Sequence, residues 1–177
     1  MTKTKKFAAI DIGSFNCRLL VIEKAFDKYT VLETFSRETN LIKNISFNNE
    51  FDFNKINSTL KCLEIISKKI SNYRISDYRC IATEACRQVI NPDFFIDLVK
   101  KRTGLIVEII STYEEARLSL KSCSAYMKKF KNNGLIFDIG GGSTEITYFN
   151  PKDKNFITKS ISFGVVNYSE KIEIYGL

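Results

Sequence analysis

The chain has 177 residues, 44% hydrophobic and 27% charged, enough to bury one sizeable core with a small second lobe beside it. It carries a formal net charge of +7 and no histidine, which excludes a Ser-His-Asp triad, a histidine general base and histidine-ligated zinc. No stretch approaches the ~20 apolar residues of a membrane-spanning helix, and the basic start Met1–Lys6 leads into an apolar run broken by Asp11 and Gly13, too short for a signal peptide, so a cytoplasmic protein with no membrane partner is expected.

Phe7 to Ile12 reads as a buried strand running into a tight turn, Asp11-Ile12-Gly13-Ser14, with further strands over Cys17 to Glu23 and Tyr29 to Phe35. Asn54 to Ile70 carries a helical stripe of Ile56, Leu60, Leu63, Ile66 and Ile70. A strand over Tyr78 to Ala82 leads into Thr83-Glu84-Ala85-Cys86-Arg87-Gln88, a strand–helix junction. Asn91 and Pro92 supply an N-cap and first helical position, Asp93 sits in the first turn, and Lys100-Lys101-Arg102 with Gly104 close that helix. Leu105 to Ile110 reads as a buried strand and Glu114 to about Met127 as an amphipathic helix.

The opening unit then returns. Gly134-Leu135-Ile136-Phe137-Asp138-Ile139-Gly140-Gly141-Gly142-Ser143 repeats the pattern of Phe7 to Ser14, and strands over Thr144 to Phe149 and Phe156 to Phe163 follow it. The order βββαβαβα and then βββ implies an α/β lobe with a mixed sheet over residues 1–130, and the beginning of a related, facing lobe over 131–177. The second piece is below the ~70–80 residues a lone core usually needs. It is expected to belong to a longer protein, or to lean on the first lobe or on another copy, a homodimer being one such arrangement.

The two Asp-x-Gly turns are the first candidates for chemistry. Backbone N–H groups of a glycine-rich turn can gather on phosphate oxygens, with Ser14, Ser143 and Thr144 adding hydroxyls. Asp11 and Asp138 end strands, where they can hold a divalent cation directly or through water. No Gly-Lys-Ser/Thr follows, so neither is a Walker loop, and Gly142 leads into the alternating strand Thr144–Tyr148, not the helix of a dinucleotide fingerprint. Ordinary hairpin turns would also use Asp and Gly; the repetition and the three successive glycines favour phosphate.

Ser111-Thr112-Tyr113-Glu114-Glu115-Ala116-Arg117 joins a strand to a helix, and two capping-box registers fit, Ser111 with Glu114 or Thr112 with Glu115. Only one glutamate is needed as a cap partner, which leaves the other as a carboxylate at the end of a central strand, where open α/β sheets place ligands. Arg87 could fork onto a phosphate or face Glu84 or solvent as a surface helix arginine, and Arg18, on the strand after the first turn, has a similar pair of readings. The positive charge suits a polyanionic partner. Five cysteines, Cys17, Cys62, Cys80, Cys86 and Cys123, with no C-x-x-C pair, read as small core residues of a reducing compartment.

Together these segments resemble the exopolyphosphatase / guanosine pentaphosphate phosphatase family. The stretches that carry the resemblance are Asp11–Ser14 with Arg18-Leu19, Ala82–Arg87, Val107–Ser111 with Glu114–Leu118, Asp138–Glu145 and Ser162–Val166. Phe15 stands where the family usually has asparagine. The resemblance implies the actin-like, ribonuclease H-like ATPase fold, with Glu115 as the base that activates water. It implies Asp138 as the carboxylate of a site for Mg2+ or another divalent cation, with Glu145 in support; Asp11 stays a candidate metal ligand by its place at a strand end. It places phosphates on Gly13, Ser14, Arg18, Arg87, Gly140, Gly141, Gly142, Ser143 and Thr144, and implies inorganic polyphosphate or guanosine pentaphosphate as partner, not nucleic acid. Three functions stand open: a magnesium-dependent hydrolase of terminal phosphates, a truncated binding module without turnover, and a nucleotide-dependent kinase or ATPase of the same fold. The setting of Glu115 favours the hydrolase over the kinase.

Overall fold

The structure is a computed structural model that describes residues 4–45, 49–127, 132–150 and 155–175. By contacts the chain divides into two compact units, Met1–Ile109 and Ile110–Leu177. In the first, β1 (Lys5–Ile12), β2 (Asn16–Ala25) and β3 (Lys28–Glu38) form an antiparallel meander. After α1 (Phe53–Asn72), β4 (Tyr78–Ala82) pairs parallel to β1, and after α2 (Glu84–Gln88) and α3 (Pro92–Thr103), β5 (Val107–Ile109) pairs parallel to β4. The resulting order, β3-β2-β1-β4-β5, is that of an actin-like, ribonuclease H-like lobe with a mixed sheet.

Strand alternation sets the core of this unit. Ala8, Ile10 and Ile12 of β1 and Cys17, Leu19 and Val21 of β2 are buried on one face. The α1 stripe, Ile56, Leu60, Leu63, Ile66 and Ile70, is buried with them, as are Phe95 and Val99 of α3. Each fully buried Leu or Ile contributes about 1.5–3 kcal/mol of transfer free energy. The caps follow local chemistry. Asp52 accepts from the N–H groups of Asn54 and Lys55 at the start of α1, and Asn91 Oδ1 accepts from Phe94 N–H at the start of α3. Gly104 closes α3 at φ +73°, its N–H donating to Lys100 C=O.

Two details differ from the sequence reading. Residues 84–88 form a short helix of their own, and β5 shrinks to Val107–Ile109, although its flanks Leu105 and Ile110 are buried.

The second unit contains α4 (Thr112–Met127), the antiparallel sheet β6 (Gly134–Ile139), β7 (Thr144–Asn150) and β8 (Asn155–Ile161), and α5 (Val165–Tyr175). The division therefore falls ahead of α4, where the sequence reading put it after that helix, between 130 and 131. The reason is packing: Tyr113 of α4 stacks on Phe156 of β8 at 4.8 Å between ring centroids, and α4 covers that sheet face. The opposite face, with Leu135, Phe137, Ile139, Tyr148, Ile157 and Ile161, is exposed. In the repeat, Leu135, Phe137 and Ile139 correspond to Ala8, Ile10 and Ile12, which in the first unit are buried. Among the described residues no helix is long and apolar enough to cross a membrane.

Candidate phosphate and carboxylate site

The sequence repeat is also a repeat in hydrogen bonding. In the first unit Gly13 N–H donates to Asn16 C=O at 2.9 Å, and in the second Gly140 N–H donates to Ser143 C=O at 2.9 Å. Both close two-residue hairpins, Ser14-Phe15 and Gly141-Gly142, between strands of equivalent register, Ile12 opposite Cys17 and Ile139 opposite Thr144. Each turn is then held from one side through its carbonyls. Ser14 C=O accepts from Ile42 N–H at 3.2 Å, and Phe15 C=O accepts from the N–H groups of Thr39 and Asn40 at 2.9 Å each. In the second unit Gly140 C=O accepts from Val165 N–H at 3.0 Å and Gly141 C=O from Val166 N–H at 2.9 Å.

In a planar trans peptide the C=O and the following N–H point in opposite directions. Anchoring the carbonyls of residues 14 and 15 therefore turns the N–H groups of Phe15 and Asn16 away from the 39–42 segment. Anchoring those of residues 140 and 141 likewise turns the N–H groups of Gly141 and Gly142 away from α5. Successive amides on one side of a turn are the donor set that suits an anion. Gly13 and Gly140 sit where a Cβ would come within 3.0 Å of Asn16 O and 3.2 Å of Ser143 O, so each hairpin closes at glycine. Ser14 and Ser143 are buried, whereas Thr144 donates its hydroxyl to Phe163 C=O at 2.6 Å, committing that proton within the protein.

Asp11 and Arg18 are register neighbours across β1 and β2, with Arg18 exposed. At the end of β4, Thr83 N–H donates to Ile12 C=O at 3.4 Å, which puts α2 directly after the strand end beside the first turn. There Glu84, 8% exposed, takes Arg87 Nε at 3.1 Å and Nη2 at 2.9 Å on one carboxylate oxygen, and Gln88 Nε2 at 2.8 Å on the other. The ion pair that the sequence offered as the alternative for Arg87 is thus formed.

The start of α4 resolves the two capping registers. Ser111 Oγ accepts from Glu114 N–H at 3.2 Å, and the Glu114 carboxylate takes Arg117 Nε at 2.6 Å and Nη2 at 2.9 Å. Glu115 lies on the next position, half-buried, with its Oε2 buried. In the same unit Asp138 and Glu145 are register neighbours on β6 and β7, on the sheet face that α4 covers. Glu145, 3% exposed, accepts from Ser160 Oγ at 2.7 Å. Two adjacent hard-oxygen carboxylates fit Mg2+, which keeps several waters and uses one or two carboxylates together with substrate phosphates. Asp11 lies in the other unit, and among the described residues no group of three or more Cys, Asp or Glu side chains is gathered to hold a metal.

The family model described as the Ppx/GppA phosphatase family matches residues 20–172. The chain belongs to this family. It is 37% identical over 174 residues to the bifunctional 3-dehydroquinate synthase/phosphatase of Fusobacterium nucleatum, the match covering 93% of this chain and 26% of that protein. It is 27% identical to a guanosine-5'-triphosphate,3'-diphosphate pyrophosphatase of Photobacterium profundum, covering 93% of this chain and 33% of that one. The crystal structure of the Aquifex aeolicus member of the Ppx/GppA family superposes with a TM-score of 0.77 at 28% identity, covering 95% of this chain and 54% of that one. The Ppx/GppA chain described here therefore spans about half the length of that solved relative and a quarter to a third of the two curated ones.

The motifs had pointed to the turns, Arg87 and the Glu114-Glu115 pair. They had named Glu84 as the alternative partner of Arg87 and had assigned no role to Ser160 or Asn167, whose partners come from register and loop packing. The only signal for them was proximity in the sequence to a motif.

Proposed function

We propose that this Ppx/GppA chain handles phosphoanhydrides, as a magnesium-dependent hydrolase that releases the terminal phosphate of inorganic polyphosphate or guanosine pentaphosphate in the cytoplasm. The observation that carries the reading is the pair of equivalent hairpin turns whose carbonyls are anchored on one side and whose amides are thereby turned to the other. Hydrolysis of a phosphoanhydride needs charge neutralisation and a positioned water, and no histidine. In this reading the turn amides and Arg18 and Arg87 take the phosphate oxygens. Glu115 accepts the proton of the attacking water, and Asp138 with Glu145 hold Mg2+, which when bound neutralises phosphate charge. The Ser111–Glu114 cap supports the choice of Glu115, because the N-terminus of α4 is satisfied one position earlier and Glu114 is bonded to Arg117.

The test is phosphate release from polyphosphate and from guanosine pentaphosphate, with and without Mg2+, beside a direct titration of tripolyphosphate. Magnesium-dependent release supports the hydrolase. Binding without release assigns the chain a holding role, and neither binding nor release refutes the proposal.

A further inference from the structure

Asn167 lies at the third position of α5, and its amide is used at both ends. Oδ1 accepts from Gly164 N–H at 2.8 Å, and Nδ2 donates to Gly142 C=O at 3.0 Å. The orientation of the amide follows from its partners, since an N–H can only donate and a C=O can only accept. The first of these bonds is the back half of a capping box, in which the third helical residue reaches the N-cap N–H. The second is not a cap: it reaches across to the glycine turn and holds the next carbonyl after the two that Val165 and Val166 already hold. Three successive carbonyls, of residues 140, 141 and 142, are thus tied to one short stretch, residues 165–167. By the planarity of the peptide the N–H of Ser143 is turned away from Asn167, in line with those of Gly141 and Gly142. The carbonyls of the first turn are anchored by the backbone N–H groups of Thr39, Asn40 and Ile42, whereas the second turn also uses the side chain at 167.

We propose that Asn167 is a positioning residue: its side-chain amide sets the Gly142–Ser143 peptide so that the second turn presents a third N–H to a bound phosphate oxygen. This rests on the reading that the turn holds phosphate, and it adds a residue to which no role had been given. The prediction separates a cap from an orienting contact. Asn167→Asp keeps the acceptor for Gly164 N–H but replaces the donor with an oxygen that repels Gly142 C=O. Asn167→Ala removes both contacts without adding charge. Ser169→Asp adds the same charge two residues further on, where the side chain is exposed and its hydroxyl donates to Val166 C=O at 2.8 Å.

The experiment is calorimetric titration of the 177-residue chain and the three variants with inorganic tripolyphosphate at low salt, with circular dichroism to confirm folding and amide shifts of Gly141, Gly142 and Ser143 read in the free proteins. Asn167→Asp and Asn167→Ala are expected to bind roughly tenfold more weakly, about 1.4 kcal/mol, with the Ser143 amide shift moved, while Ser169→Asp stays within about threefold. Should Asn167→Ala fail to fold, the Asn167→Asp and Ser169→Asp pair decides by the same difference. Wild-type binding with Asn167 variants within about twofold, or with Ser169→Asp weakened as much as Asn167→Asp, overturns the positioning role and leaves the phosphate reading standing. No binding by the wild type overturns the phosphate reading and this inference with it.

Discussion

Gly164→Ala tests how closely the second turn is held. A Cβ built at Gly164 would lie 2.5 Å from the carbonyl carbon and oxygen of Gly141 and 2.5 Å from Gly142 N, all backbone atoms with no rotamer to swing aside. Non-bonded heavy atoms rest at about 3.5–4.0 Å, so the turn and the 162–164 loop must separate by roughly 1 Å. The bonds that join them, Val165 to Gly140 at 3.0 Å, Val166 to Gly141 at 2.9 Å and Asn167 to Gly142 at 3.0 Å, would then stretch to near 4 Å and be lost. At about 0.5–1.5 kcal/mol net for each bond, the expected loss is about 2–4 kcal/mol, similar to or above the usual overpacking cost of about 1–3 kcal/mol. Gly104→Ala is the matched control. It has φ +73° and nothing within 4 Å of a Cβ, so it should cost only the left-handed backbone, about 1–2 kcal/mol. Urea unfolding followed by far-ultraviolet circular dichroism gives both losses, and tripolyphosphate titration gives the functional readout. Gly164→Ala should weaken binding along with stability, whereas Gly104→Ala, at the C-terminal end of α3 and outside both turns, should leave binding unchanged. A loss below about 0.5 kcal/mol for Gly164→Ala, with wild-type binding, would refute the claim that the turn is clamped to the start of α5.

Glu115→Gln should lower phosphate release by ~10²–10⁴ with tripolyphosphate affinity retained, while Glu114→Gln, which only weakens an exposed pair with Arg117, should leave the rate unchanged; equal losses would remove Glu115 from the mechanism. Glu84→Gln strips the charge that fixes Arg87, in a pair whose side chains are 10% and 17% exposed, and should cost about 1.5–3 kcal/mol together with weaker polyphosphate binding. Glu108→Gln, breaking the exposed bidentate pair with Arg79, should cost under about 1 kcal/mol by urea unfolding, and equal costs would contradict the burial argument. Burial pushes the Cys80 and Cys86 thiols up to about 12; the contact between Cys17 and Cys62 raises the first and lowers the second, but both are fully enclosed and out of reach of a reagent. An aromatic disulfide reagent at pH 8 should therefore titrate only the half-buried Cys123 in the native protein, and all five cysteines in denaturant; rapid labelling of several native thiols would contradict this core.

The helix caps were legible in the sequence because they are short-range. Asn91, Pro92 and Gly104 act on neighbours within four residues, and the structure places each at the helix end the sequence assigns it. The internal repeat was legible for the same reason, since a strand ending in Asp-x-Gly imposes its own turn, and both copies close with the same hydrogen bond. The α1 stripe at helical spacing identified a buried face before any partner was known. Where two local solutions had similar energies, as in the Ser111 and Thr112 capping registers or the two readings of Arg87, sequence could state the pair but not choose.

Other features were decided by contacts between residues distant in the chain. Tyr113 stacks on Phe156, which brings α4 onto the second sheet and moves the division of the chain ahead of that helix. Ser160 reaches Glu145 through strand register, and Asn167 reaches Gly142 across the turn from α5. By itself the sequence determined the family, the order of the elements and the two turns, because period, caps and tight turns depend on interactions within a few residues. Only the tertiary structure decided which side chains orient those turns and carboxylates, because a hydrogen bond between residues 25 apart, such as that from Asn167 to Gly142, leaves no period or spacing in the chain to read.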